Sequence, residues 1–313
     1  KLGRSFIVPA NSFDNVKGKF PIGFFIWHLD QKMNFKETTC DVFDEQQQYL
    51  GSKYISSEED SQSINDWIIL TRNRKEEQQI GYLSAKGNDF QNTNYIFIIN
   101  SKSQLPHPRG TWITNKNLKE IAIYFSVRHC IEATWLNDRD QFLYPNDGWQ
   151  TDNEFQADCL AYTLFNNNIQ SEFGINHWIP FTEQEVNAKE KFQSNFMSNY
   201  IQGKYNKKEH TQVELFNQTK NEITPLVFSE EAQAVMDAGR ELWRYYHAQP
   251  DANPNAALYD IRLYFQGKNE KGKMNNSSND ASYTQLITTL RENLKTLAQK
   301  IEPKVYEYGF LKK

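Results

Sequence analysis

The sequence predicts an α+β fold, on two observations. Residues 5–56 read as short apolar or alternating strands separated by turn residues, whereas most of the chain beyond residue 115 carries apolar side chains at helical spacing. With 313 residues the chain is long enough for a sizeable core and two or three domains.

The elements follow in order. Ser5-Phe-Ile-Val8 is a short apolar strand. Residues 20–29, Phe-Pro-Ile-Gly-Phe-Phe-Ile-Trp-His-Leu, form a nearly continuous apolar run, the pattern of a strand buried on both faces. The link from Pro9 to Lys19 holds the turn formers Asn11, Asp14, Asn15 and Gly18 and is too short for a helical crossover. The two strands should therefore be antiparallel, with a long polar loop at the tip. Residues 35–43 and 49–55 alternate and include β-branched side chains, so they read as strands. Asp60 or Ser61 can cap a helix carrying Ile64, Trp67, Ile68 and Leu70. Strands are expected at 80–83 and 95–99, and Pro106–Gly110 reads as a linker or exposed loop. Thr114 or Asn115 can cap a helix with Leu118, Ile121, Ala122, Phe125, Val127 and Ile131. Further helices are expected over 152–166, 184–201, 229–247, 255–265 and 281–300. Phe142–Trp149 reads as a polar and aromatic loop, and 267–280, rich in Gly, Asn, Lys and Ser, as a flexible connection.

A net charge of -4 counts against a simple electrostatic nucleic-acid binder but leaves room for local basic faces. Aromatics make up 14 % of the chain and stand among many Asn and Gln residues. Such side chains suit base-edge reading, and a polar compositional bias produces the same mixture. The 3 cysteines, Cys40, Cys130 and Cys159, are odd in number and far apart, the pattern of neither a disulfide framework nor a zinc site. A reducing, cytoplasmic setting is expected. No window approaches the apolar length of a membrane span, and no charged leader precedes an apolar run. The chain starts at Lys1, its first methionine is Met33, and an apolar strand begins within a few residues. The expectation is a chain that enters in the middle of a fold.

Several chemistries lack their residues. No Gly-x-Gly occurs, so the usual nucleotide turn is missing. Asn253-Pro254 precedes Asn255 and Ala256 rather than an aromatic, and reads as a helix start with Asn253 as cap and Pro254 at the first helical position. Gly267–Lys273 has most of a P-loop spacing, but Met274 stands where Mg²⁺ needs a hydroxyl. The 6 histidines show no His-x-x-x-His, and no Gly-x-Ser-x-Gly is present. Arg128 and His129 fall mid-helix, where a core or interface role is expected. Asp138, Asp140, Asp147, Asp152, Glu154 and Asp158 could hold Mg²⁺ for a nuclease, although Asp152 and Glu154 also suit a helix N-terminus. The basic groups are local. Lys17 and Lys19 flank Gly18, Arg109 follows Pro-His-Pro, and Lys204, Lys207 and Lys208 surround Tyr205. Lys268, Lys271 and Lys273 decorate the 267–280 segment. Each group could grip phosphates or form a solvated surface.

The stretch Ser5-Phe-Ile-Val-Pro-Ala-Asn-Ser-Phe-Asp-Asn-Val-Lys-Gly-Lys-Phe-Pro-Ile-Gly-Phe-Phe-Ile-Trp27 resembles the closing hairpin of the catalytic domain in bacterial adenine-N6 DNA methyltransferases of restriction-modification systems. The relevant groups are the combined type II enzymes and the modification subunits of type I systems. Thr111–Ala122, Leu136–Asp147 and Ala238–His247 are similar to the C-terminal region of the same group. The resemblance implies the last antiparallel hairpin of a Rossmann-like methyltransferase sheet over residues 1–33, a mixed α/β target-recognition region over 34–215 and a helical region over 216–313. It implies S-adenosylmethionine as methyl donor of the intact protein, with no cofactor held by this chain, and a flipped adenine in double-stranded DNA as acceptor. Phe13 is then the candidate aromatic that stacks on the flipped base, or else packs its loop on its own sheet. Lys17, Lys19, Arg109, Lys204, Lys207 and Lys208 are the candidate DNA contacts. By itself the chain should recognise a target rather than methylate it. The alternatives are a non-catalytic module docking a restriction-modification partner subunit, and a Mg²⁺-dependent nuclease.

Overall fold

Leu2–Pro9 (β1) and Pro21–Trp27 (β2) form the expected antiparallel hairpin, with Phe6 opposite Phe24 and Pro9 opposite Pro21. The structure, a computed structural model, describes residues 2–18, 20–31, 36–56, 62–72, 78–87, 95–106, 109–132, 142–204 and 224–312. Glu37–Phe43 (β3) and Tyr49–Ser56 (β4) make a second antiparallel pair. Its turn is fixed by Asp44, whose Oδ1 accepts the backbone N–H groups of Gln46 and Gln48 at 2.9 and 2.8 Å. β3 then joins β1 in parallel, Phe6 opposite Asp41 and Ile7 opposite Val42, which gives one mixed sheet in the order β2-β1-β3-β4. Residues on either side of position 33 thus share a sheet. Ile7, Cys40 and Val42 form its small buried core, with Ile55 packed against them.

β2 corrects one expectation. Its apolar run predicts a strand buried on both faces, but β2 is an edge strand and most of it is exposed. Phe24 is 37 % exposed, Phe25 52 %, Ile26 54 % and Trp27 52 %. Since successive side chains point to opposite faces, this run leaves apolar surface open on both sides of the sheet.

A second sheet of three antiparallel strands places Gly81–Ser84 (β5) between Phe97–Ile99 (β6) and Gly110–Ile113 (β7). β7 starts at the last residue of the expected Pro106–Gly110 loop. The sequence pattern assigns no element to Thr111-Trp-Ile, and the ladder supplied by β5 makes it a strand. Ile64–Leu70 (α1) is capped by Ser63 in a reciprocal box with Asp66, downstream of the expected cap at Asp60 or Ser61, which lies outside the described residues.

The principal core lies between the second sheet and the helices Leu118–His129 (α2), Asn153–Leu164 (α3), Glu230–His247 (α5) and Ala281–Glu307 (α7). Asp152, Ser229 and Asp280 cap α3, α5 and α7 with side-chain oxygens, near the starts predicted from sequence. The cap position of α2 is Asn117, not Thr114 or Asn115. Leu290, Leu294, Leu297, Ile301 and Val305 line the buried face of α7 at intervals of three and four. Ser126 on α2 and Thr163 on α3 hydrogen-bond across the helix pair at 3.1 Å. The Trp178 indole donates to the Ile80 carbonyl at 2.8 Å, joining the helical half to the sheet. Arg128 and His129 end α2 rather than occupying its middle. Arg128 is fully buried, donates to the Gly87 carbonyl at 3.1 Å and stacks over Phe142, so the core role holds.

Three helical or loop expectations change. Of the predicted helix 184–201 only Phe196–Ile201 (α4) forms. Asn187 has a left-handed φ of 54°, and the Glu183 carboxylate accepts the Phe192 N–H at 2.9 Å, so side-chain bonding organises this segment as turns. The helix expected over 255–265 is Leu258–Gln266 (α6) with Ala257 as cap. Asn253 and Pro254 precede it in a turn where Asn253 Oδ1 accepts the Asn255 N–H. The segment 267–280, read as a flexible connection, is a loop with its own hydrogen bonds. Lys268 bridges Met274, Asn269 Oδ1 accepts the Lys271 and Lys273 N–H groups, and Ser278 donates to the Phe265 carbonyl. Among the described residues no helix is long and apolar enough to cross a membrane.

Candidate functional site

The hairpin tip carries the first sequence-predicted group. After β1 the chain makes a single 3₁₀ turn, Ala10–Ser12, closed by the Phe13 N–H donating to the Ala10 carbonyl at 3.1 Å. Ala10 N–H donates to the Phe20 carbonyl at 2.8 Å, so the loop is pinched at its base. Asn15 then adopts a left-handed φ of 66°. The turn holds Phe13 at the tip, 42 % exposed, with its ring 6.0 Å from that of Phe24 on β2. The contact with Phe24 matches the reading in which Phe13 packs its loop on its own sheet. One side leans on the hairpin's own aromatic, and the rest faces out, where a planar ring could stack on it.

Lys17 shares this loop and is exposed. Lys19 lies outside the described residues. Asn11 donates to the Glu45 carboxylate on the β3–β4 turn, which ties the two tips together, while Asn11 Oδ1 and Ser12 Oγ are buried without hydrogen-bond partners among the described residues. The tip thus combines a half-exposed aromatic ring and a cation with polar atoms that lack partners.

The remaining basic candidates sit on other elements. Arg109 is exposed at the mouth of β7, where its carbonyl accepts the Ala85 N–H at 2.8 Å. Lys204 is exposed after α4 and donates to Asn199 Oδ1 at 3.2 Å. Lys207 and Lys208 lie outside the described residues. Among the described residues, Phe13 and Lys17 share one loop, and Arg109 and Lys204 have separate surroundings.

Of the described acids, Asp147 is exposed and accepts from Gln150 Nε2 at 2.9 Å, while Asp152, Glu154 and Asp158 are absorbed by the scaffold. Asp138 and Asp140 lie outside the described residues. Asp152 caps α3, pairs with Lys304 at 3.1 Å and accepts from the Tyr308 hydroxyl. These partners hold its carboxyl below the usual range against the opposing effect of burial. Lys300 bridges Glu154 at 2.9 Å and Glu231 at 3.2 Å. Asp158 is buried on α3 and accepts the Ser229 N–H at 3.2 Å. Burial pushes its carboxyl up to about 6, partly offset by the Ser229 bonds and the Lys300 charge. Among the described residues no group of three or more His, Cys, Asp or Glu side chains could hold a metal ion. The Gly267–Lys273 stretch, whose spacing is near a P-loop's, joins no strand to a helix. Its Asn269 carbonyl accepts the Gly272 N–H at 2.8 Å, closing a turn on itself.

Sequence reasoning missed a cavity of about 530 Å³ at the start of α2, between α1 and the loop ahead of α3. Its wall includes Trp67, Tyr144 and Trp149, its rim Lys116 and Lys119, and Glu120 also lines it. Trp67 reads as one of the apolar positions of a helix and Trp149 as the end of a polar and aromatic loop, and both are largely buried. Only the fold puts their edges beside the lysines.

No protein-family model matches the chain, and no curated protein or solved structure matches it.

Proposed function

We propose that this chain is the target-recognition part of a bacterial adenine-N6 DNA methyltransferase, completed at the β2 edge by further strands of the catalytic sheet. Those strands belong to the same polypeptide or to a partner subunit. The observation that carries the reading is β2 itself, an apolar strand at a sheet edge with Phe24, Phe25, Ile26 and Trp27 exposed. A run of that composition is suited to a strand with neighbours on both sides and cover on both faces. Exposed edges of this kind invite pairing.

The ladder defines what the edge offers. The Ala10–Phe20 bond sets the alternation, so Ile22, Phe24 and Ile26 turn their backbone groups toward β1. Gly23 and Phe25 turn theirs outward. In this reading S-adenosylmethionine and the methyl-transfer groups lie on the completing strands. The Phe13–Lys17 loop, at one end of the hairpin, contacts the DNA, with Lys17 on a phosphate and Phe13 against the flipped adenine. Positioning of the base, rather than chemistry, is this chain's share of catalysis.

Fluorescence anisotropy with a labelled duplex at several salt concentrations tests the DNA half. Binding should weaken steeply with salt, and Lys17→Ala should reduce the log–log slope by about 1. Phe13→Ala should weaken binding to a duplex with an abasic site in place of the target adenine less than binding to an intact one. Failure to bind any duplex at low salt would leave the β2 edge as a protein-docking surface and remove the recognition role.

A further inference from the structure

Residues 224–228 form a strap that leads into α5, and the strap is held in place on both sides. The Leu226 N–H donates to the Ile201 carbonyl at the end of α4 at 2.8 Å. Gly203 lies so close to the strap that a Cβ there would stand 2.4 Å from the Thr224 carbonyl oxygen. At the other end the Ser229 N–H donates to Asp158 on α3. Between the strap and the helices α2, α3 and α4 lies another cavity, of about 320 Å³. That volume is at the small end for a ligand pocket and suits one small molecule.

Most of the wall is apolar, with Leu118 and Leu160 on the helices and Pro225 and Leu226 on the strap. Gln156 on α3 also lines the cavity and is only 6 % exposed. Its Nε2 donates to the Trp149 and Gln150 carbonyls at 2.8 and 2.9 Å, which fixes which amide atom is the nitrogen. The Oε1 atom is left with no partner among the described residues. An unpaired acceptor on a buried side chain is costly, and native folds pair nearly all of them.

Tyr200 on α4 supplies a second, separate polar group. Its ring lies nearly parallel to that of Phe196, with centroids 6.3 Å apart, so packing sets its position. Its hydroxyl has no partner among the described residues. Burial, joined by the Glu120 charge, pushes this hydroxyl up to about 12, so it stays a donor at neutral pH. Lys119 stands exposed at the rim, where water can solvate it.

The cavity thus presents one acceptor and one donor in an apolar surround. A ligand that answers both carries an N–H and a carbonyl side by side on an apolar body. A carboxylate has only acceptors and would face Gln156 Oε1 with like charge.

We propose that this cavity binds a small apolar carboxamide, whose N–H donates to Gln156 Oε1 and whose carbonyl accepts from the Tyr200 hydroxyl. The apolar body lies between Leu160 and Leu226. The site is separate from the Phe13–Lys17 loop and does not depend on the methyltransferase reading. Free amides and peptides share this group.

Ligand-observed NMR on the full chain reads the binding. The probes are para-ethylbenzamide, methyl para-ethylbenzoate, which keeps the carbonyl but lacks the N–H, and the para-ethylbenzoate anion. The amide should bind saturably and about tenfold tighter than either of the others, the size expected for one net hydrogen bond. Gln156→Leu should remove the advantage of the amide over the ester. Tyr200→Phe should weaken amide and ester alike by several-fold. The Tyr200 hydroxyl has no partner to lose, so its variant tests the site even if Gln156→Leu unfolds. N-acetylleucinamide carries the group on a peptide. If it binds more tightly than para-ethylbenzamide the ligand is a peptide, and if more weakly, a free amide. Absence of saturable amide binding, an ester or carboxylate that binds as tightly as the amide, or amide binding unchanged in Tyr200→Phe overturns the proposal.

Discussion

The Asp158 carboxylate on α3 accepts the backbone N–H of Ser229, the cap of α5, at 3.2 Å inside the core. One helix thus supplies a buried charge to the start of another, which favours the anion, while burial opposes it and wins.

The consequence is a stability term with a defined sign. The Asp158 carboxyl titrates at about 6 in the fold against an ordinary value of 3.8, so the folded chain holds this proton more tightly than the unfolded chain. Its contribution rises as pH falls from about 7 toward 4 and is lost as pH rises through 6. The full term is at most about 3 kcal/mol. Asn keeps an acceptor for Ser229 but cannot titrate. Asp158→Asn should therefore be at least as stable as the parent at pH 7.5, and should lose that advantage by pH 5. Urea unfolding at the two pH values reads the change, and an identical difference at both would show that Asp158 does not titrate in this window.

Gly239 faces Phe165 across the α3–α5 contact. A Cβ at position 239 would stand 2.3 Å from Phe165 Cε1, far inside contact distance. Phe165 is itself buried against Phe181 and Trp243, so it has little room to yield. In an exposed helix Gly→Ala stabilises by about 1 kcal/mol. Here overpacking of about 1–3 kcal/mol opposes it. Gly239→Ala should lower the denaturation midpoint, and a raised midpoint would mean that the Phe165 ring has space to move.

The β2 edge makes the third prediction. Phe25 and Ile26 are more than half exposed, so Phe25→Lys and Ile26→Lys should change stability by no more than about 0.5 kcal/mol. They should also lower dye binding to exposed apolar surface and any concentration-dependent self-association, since an edge lysine discourages pairing. Light scattering after gel filtration reads the second effect. A fall of several kcal/mol in stability would place these side chains in a core instead.

The β1–β2 hairpin was legible because turn formers and strand formers alternate over a link too short for anything else. The starts of α3 and α5 were legible because Asp152 and Ser229 precede clean apolar periodicity. The segment 184–195 misled because its apolar spacing is helical while Asn187 and Glu183 commit the backbone to turns. Strand β7 escaped because four residues carry too little pattern, and pairing with β5 decides them. Of the candidate site residues, Phe13 and Lys17 were visible as a loop between two strands. The α2 cavity was not, because it assembles α1, the first turn of α2 and the loop ahead of α3.

The sequence alone determined which segments can be helix or strand, since those choices depend on side-chain periodicity and caps within a few residues. It also determined that β2 is apolar throughout. Tertiary structure alone decided that β2 lies at an edge with both faces open, because burial depends on which strands exist to cover it. It likewise decided that Trp67, Lys119 and Glu120 share one cavity, because residues far apart in the chain meet only when the core between them has formed.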